Sequence, residues 1–217
     1  MTGTNREHCR YAELQCASHF SFLRGASSCE ELFSQAAVNG VEALAITDRN
    51  SLAGIVRAHE AAKVTGVRLI VGCCLALTDG STILVYPTDR AAYSRLCRLL
   101  SRGKKRGGKA RCLLGWDDVA DHAEGLIAVL APDRSDDRTR RASERLRGVF
   151  GDDAHLALTL RRRPGDQMRL HRLSQIAAET GTKAVVTNEI GHQPARILEP
   201  AEIADGRHEA DGRDRVE

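Results

Sequence analysis

Short apolar runs alternate with capping and turn residues along this chain. The segment 41–47 (VEALAIT) is almost continuously apolar, the pattern of a strand buried on both faces of a parallel sheet. Similar runs at 11–18, 67–77, 82–86, 126–130, 155–160 and 184–187 predict further strands. Between them, Ser28 and Glu31 form a capping-box signature that opens a helix running to about Asn39, with Gly40 as its stop. Helices are also predicted over about 52–65, ending at Gly66, and over 90–101, 116–122, 135–149 and 165–180. Thr78-Asp79-Gly80-Ser81 reads as a hairpin turn. Repeated strand–helix units of this kind predict an α/β domain with parallel strands and a barrel-like arrangement.

The length of 217 residues suits one sizeable α/β domain. With 42% hydrophobic and only 4% aromatic residues, its core must be aliphatic. A net charge of +3 implies no nucleic-acid partner by itself, so local clustering has to decide. The densest cluster is 102–111 (RGKKRGGKAR), read as a flexible basic loop with six cations in ten residues. Within it Lys104, Lys105, Arg106 and Lys109 are candidates for sequence-blind contacts to phosphates. The competing expectation is a solvated loop, since no aromatic interrupts the run to stack on bases.

Seven cysteines without CxxC spacing, three of them in apolar runs, point to reduced core residues. The chain shows no apolar signal segment and no 18-residue apolar run, so a cytoplasmic protein without a membrane span is expected. Ends of strands in parallel α/β folds are where chemistry gathers. Here they present Ser18-His19, Thr47-Asp48-Arg49, Gly72-Cys73-Cys74, Ala131-Asp133 and Asn188-Glu189, with His192 nearby. On residue type alone His19, Asp48, Glu189 and His192 could converge as nitrogen and oxygen ligands of a hydrolytic metal site. Capping and turn roles account for the same residues without any metal.

The ordered blocks YAELQCASHFSFLRGAS, ALAITDRNSLAG, YPTDRAAYSRLCRLLSRGKKRGGK, EGLIAVLAP and AVVTNEIGHQPARIL carry a strong resemblance. They resemble the N-terminal PHP (polymerase and histidinol phosphatase) domain of bacterial C-family DNA polymerase III alpha-type polymerases, in particular the error-prone branch associated with DNA damage and translesion synthesis. The resemblance spans about residues 10–198. It implies a distorted (β/α)7 barrel, which in active relatives holds a zinc- or manganese-type metal cluster for phosphoester hydrolysis.

Set on the family's motifs, the sequence departs at most ligand positions. Gln15 and Ala17 stand where two histidines are expected, and Arg49 replaces the histidine of Thr-Asp-His. Cys74 replaces the glutamate of Gly-x-Glu, and the last motif is only approximate at Asn188-Glu189-Ile190-Gly191-His192. Alanine has no donor atom, and a guanidinium repels a metal. The resemblance therefore implies no catalytic residue and no metal in this chain, with Arg49 expected to pair with Asp48 in the vacated pocket.

The resulting expectation is a flexible 1–10, a PHP domain over 11–198 and a disordered or aberrant tail over 199–217. The expected function is a non-catalytic PHP module, or truncated N-terminal fragment, of an error-prone DNA polymerase. Such a chain is expected to lack the magnesium-dependent polymerase core that the family carries, and to have no activity alone. The implied partners are that core, DNA and translesion accessory proteins. The alternative is a free-standing metal-dependent phosphoesterase using Asp48, Glu189 and His192.

Overall fold

Eight strands and six α-helices follow one another through residues 11–190, the part of the chain that the computed structural model describes. The expected flexible 1–10 and the 199–217 tail lie outside those residues, as does His192. Three strands form a parallel sheet in the order β1 (Ala12–Glu13), β2 (Ala43–Ile46), β3 (Arg68–Val71). The other five, β4 (Cys73–Ala76), β5 (Thr82–Pro87), β6 (Leu126–Leu130), β7 (Ala154–Thr159) and β8 (Lys183–Thr187), lie side by side in chain order. Here β4, β5 and β6 run antiparallel, whereas β6, β7 and β8 are parallel. The fold is thus mixed α/β. The all-parallel expectation fails at the 78–81 turn, where a tight hairpin can join only antiparallel neighbours.

The expected strand over 67–77 is two strands, one in each sheet. Gly72 makes the break. A Cβ there would lie 2.8 Å from Thr47 Cγ2 and 2.9 Å from the Tyr86 ring, so only glycine lets the backbone pass. No closed barrel forms from the ladders of the described residues. Single bridges, Cys16 with Ile190 and Arg49 with Cys74, link the two sheets.

Helices cover the sheets through aliphatic faces. The first, α1 (Cys29–Val38), starts at the expected capping box: Ser28 Oγ accepts from the Glu31 amide, and the Glu31 carboxylate accepts from the Ser28 amide. Next, α2 (Ile55–Thr65) ends at Gly66 with φ of +76°, the left-handed cap expected there. Together with β2 these helices enclose Leu32, Phe33, Leu44, Ile46 and Ala58.

The larger core lies under α3 (Arg90–Gly107), α4 (Trp116–Ala120), α5 (Asp137–Phe150) and α6 (Asp166–Thr180), and includes Leu75, Ile83, Leu96, Leu99, Leu114, Leu146 and Leu173. Helix α3 runs through most of the segment expected to be a loop. Gly103 faces the core, where a Cβ would lie 2.6 Å from Cys112 Sγ and 2.7 Å from Leu114. It is a close-packing glycine, so the helix continues through it.

Candidate functional site: the strand ends and the basic helix

Asp48 follows β2 and is 1% exposed. Its Oδ1 accepts from the Ser18 amide at 2.9 Å and the Ser21 hydroxyl at 2.7 Å, and its Oδ2 accepts from the Ser18 hydroxyl at 2.8 Å. Three donors from the 18–21 turn therefore solvate the carboxylate inside the protein, which offsets its desolvation. Gly54 closes the remaining side, since a Cβ there would stand 2.8 Å from Oδ2. Asp48 thus anchors the turn after β1.

The expected Asp48–Arg49 salt bridge is not the arrangement found. Arg49 is exposed, its amide donates to Ser21 Oγ at 2.9 Å, and Asp48 makes no ion pair among the described residues. Successive residues leaving a strand point to opposite sides, so Asp48 faces inward and Arg49 outward.

The guanidinium that does occupy the strand ends is one the sequence did not single out. Arg161 follows β7 with its side chain 11% exposed. It pairs with Asp133, beyond β6, and with Glu189, beyond β8, the latter at 2.8 Å. The Arg161 hydrogen bond holds the Asp133 carboxyl below its usual range. A cation from the middle strand thus ties together two carboxylates from its neighbours. Position after an apolar strand was the available signal, but Arg161-Arg162-Arg163 reads as solvated charge until the partners are known.

Gln15 and Ala17 hold the seam between the sheets. The Gln15 side-chain oxygen accepts from Thr187 Oγ1 at 3.0 Å, and the Ala17 amide donates to the Ile190 carbonyl at 2.9 Å. Beside them Glu13 is fully buried and accepts from Tyr11 Oη and the Gln15 amide, both at 2.7 Å. No cation pairs with it among the described residues, and burial pushes its carboxyl up from the usual value. Burial also raises the Cys74 thiol to about 11, and Cys73 is raised further, so neither offers a thiolate at neutral pH.

The three described residues of the possible metal cluster do not share one centre. His19 is exposed, with its ring against Phe20 and Nδ1 3.4 Å from the Ser27 carbonyl. Asp48 is enclosed by serines, Glu189 is held by Arg161, and His192 lies outside the described residues. Among the described residues no group of three or more His, Cys, Asp and Glu side chains is placed to hold an ion. A divalent metal does not fit the described residues, because each nearby carboxylate already has its donors and the nearby thiols are protonated.

The basic run is split by the fold. Arg106 forks onto Asp118, with Nη1 at 2.6 Å and Nη2 at 2.9 Å, and Arg102 reaches Asp118 and Asp121. These contacts, Arg106 first, hold the Asp118 carboxyl at about 2. They pin α3 to α4, where Trp116 is buried and donates from Nε1 to Asp79 Oδ2 at 2.8 Å. Lys104, Lys105 and Lys109 are exposed and make no ion pair among the described residues.

These features define a mixed α/β domain whose strand-end carboxylates are held by partners within the fold. The chain belongs to the PHP domain family, whose model matches residues 13–185. It is 60% identical over 190 residues to error-prone DNA polymerase 1 of Agrobacterium fabrum, and 59% identical over 181 residues to error-prone DNA polymerase 2 of Rhizobium meliloti. These matches cover 87% and 83% of this chain but 17% of each relative, in their N-terminal regions. The chain therefore spans about a sixth of the length of the curated relatives it matches.

Two solved structures share the fold. One is a candidate metal-dependent phosphoesterase from Bifidobacterium adolescentis, with a TM-score of 0.58, 17% identity, and coverage of 84% of this chain and 88% of the other. The other is an amidohydrolase from Chromobacterium violaceum, with a TM-score of 0.60, 15% identity, and coverage of 89% and 95%.

Proposed function

We propose that this chain acts as a non-catalytic PHP module of an error-prone DNA polymerase, working in the cytoplasm in translesion synthesis. In this reading residues 11–198 are the module, the two bridged sheets are an opened form of the family's (β/α)7 barrel, and the partner is the polymerase core. Nucleotide addition belongs to that core, with its magnesium ions, and not to this chain. The observation that carries the reading is the Asp48 network: the carboxylate of the family's Thr-Asp-His motif is spent on Ser18 and Ser21. A phosphoesterase built on Asp48, Glu189 and His192 would need two carboxylates that the serines and Arg161 already hold.

A domain exchange tests the proposal. Residues 1–190 of this chain replace the matching N-terminal region of the Agrobacterium fabrum polymerase, and primer extension is measured. Extension within a few-fold of the parent is expected. A soluble chimera that has lost extension would overturn the module reading, as would manganese-dependent phosphoesterase activity of this chain abolished by Asp48→Ala.

A further inference from the structure

From Arg90 to Trp116 the chain has nine cations and no acid. The whole chain has 32 cations and 29 acids, so the rest carries 23 against 29 and is acidic. Charge is therefore segregated onto α3 and the loop that follows it, to a degree that the net charge conceals.

The fold sorts these cations into two sets. Arg95, Arg102 and Arg106 turn toward Glu124, Asp118 and Asp121 and fix the helix to the domain. Arg90, Arg98, Lys104, Lys105, Lys109 and Arg111 are exposed and form no ion pair among the described residues. Arg90, Ser94, Arg98, Ser101 and Lys105 follow one another at spacings of four, four, three and four, which places them on one face. All five are exposed. At about 1.5 Å per residue the row is about 22 Å long, with its cations about 10–12 Å apart, close to the ~12 Å width of a DNA major groove.

We infer that this face of α3 binds the phosphate backbone of duplex DNA. The preference for DNA rests on the polymerase reading above; the cationic row itself does not depend on it. Three observations favour duplex DNA over other partners. The row has no apolar centre such as a protein interface requires, since the one large apolar side chain exposed on α3, Tyr93 at 36%, lies off it. The apolar face of α3, from Ala92 through Leu96, Leu99, Leu100 and Gly103, is buried in the core and cannot enter a membrane. With no aromatic in the row to stack on bases, a duplex is favoured over a single strand.

The test uses the full 217-residue chain and a dye-labelled 20-base-pair duplex, followed by fluorescence anisotropy. For about three phosphates neutralised, affinity should fall roughly 40-fold between 50 and 200 mM salt. The double variant Arg98→Glu, Lys105→Glu should bind more than tenfold more weakly, with a salt slope reduced by about two. A control with the same charge change, Arg57→Glu on α2 and Arg68→Glu on β3, should keep its affinity within twofold. Absence of duplex binding by the parent chain would overturn the inference. So would equal losses in the two double variants, or single strands bound more tightly than duplex. The domain exchange reads extension rather than this affinity, so either can fail without the other.

Discussion

The strand ends and the outer face of α3 treat charge in opposite ways. At the strand ends each carboxylate has found partners inside the fold: Asp48 two serines, Glu189 and Asp133 one arginine, Glu13 a tyrosine and a backbone amide. On α3 the inward cations are matched by Asp118 and Asp121, while the outward row is left without acids. A region whose polar groups satisfy one another supports structure, and a region with unmatched charge on its surface is open to a ligand. The strand-end carboxylates are thus held within the fold, while α3 carries an outward row of cations with no acid beside it.

The comparison breaks most visibly at Asp48. Asp48→Ala leaves buried donors on Ser18 and Ser21 without an acceptor, and urea unfolding should show a loss of about 3 kcal/mol. A smaller loss, about 2 kcal/mol, is expected for Arg161→Ala, because two carboxylates lose their shared cation at a site that is only partly closed to water. Arg161→Lys should recover only part of it, since one ammonium cannot reach both partners as a planar fork does.

Glu13 sharpens the picture through pH. Its carboxyl is raised in the folded state, so its contribution is complete below the ordinary glutamate value and is lost as pH rises through the shifted one. Glu13→Gln should therefore melt higher than the parent at pH 8, with the difference shrinking as pH falls toward 4. Asp118 has the opposite sign and the smallest effect. Its contribution is complete above the ordinary 3.8 and is lost as pH falls through about 2. Asp118→Asn should flatten that acid limb of the melting curve, and by little, because its two arginines are about half exposed.

Much of the fold was legible because it rests on local signals. The Ser28–Glu31 capping box, the Gly66 stop and the 78–81 hairpin need no distant partner. Two of the misreadings share one cause: a glycine's role depends on what lies across from it. Gly103 reads as a break beside a run of lysines, yet it is where α3 packs on Cys112 and Leu114; Gly72 reads as one more strand residue, yet it divides the sheets.

At the site, the sequence marks Asp48 as a strand-end carboxylate but cannot say which donors reach it. Arg161 was illegible because Asp133 and Glu189 each lie 28 residues away and become its partners only when β6, β7 and β8 align. For the same reason the basic run showed its charge but not its division. Only the placement of α4 separates Arg102 and Arg106 from Arg98 and Lys105.

The closed strand-end site is tested most directly by metal. The full chain, purified without chelator, is assayed for bound zinc and manganese by elemental analysis, then melted with 1 mM manganese and with EDTA. The expected result is well below 0.1 metal ion per chain and a melting temperature equal in both within about 1 °C, since an ion with no site in the folded state cannot stabilise it. Near-stoichiometric metal, with melting raised by manganese and lowered by EDTA in the parent but not in Asp48→Asn, would contradict the closed site.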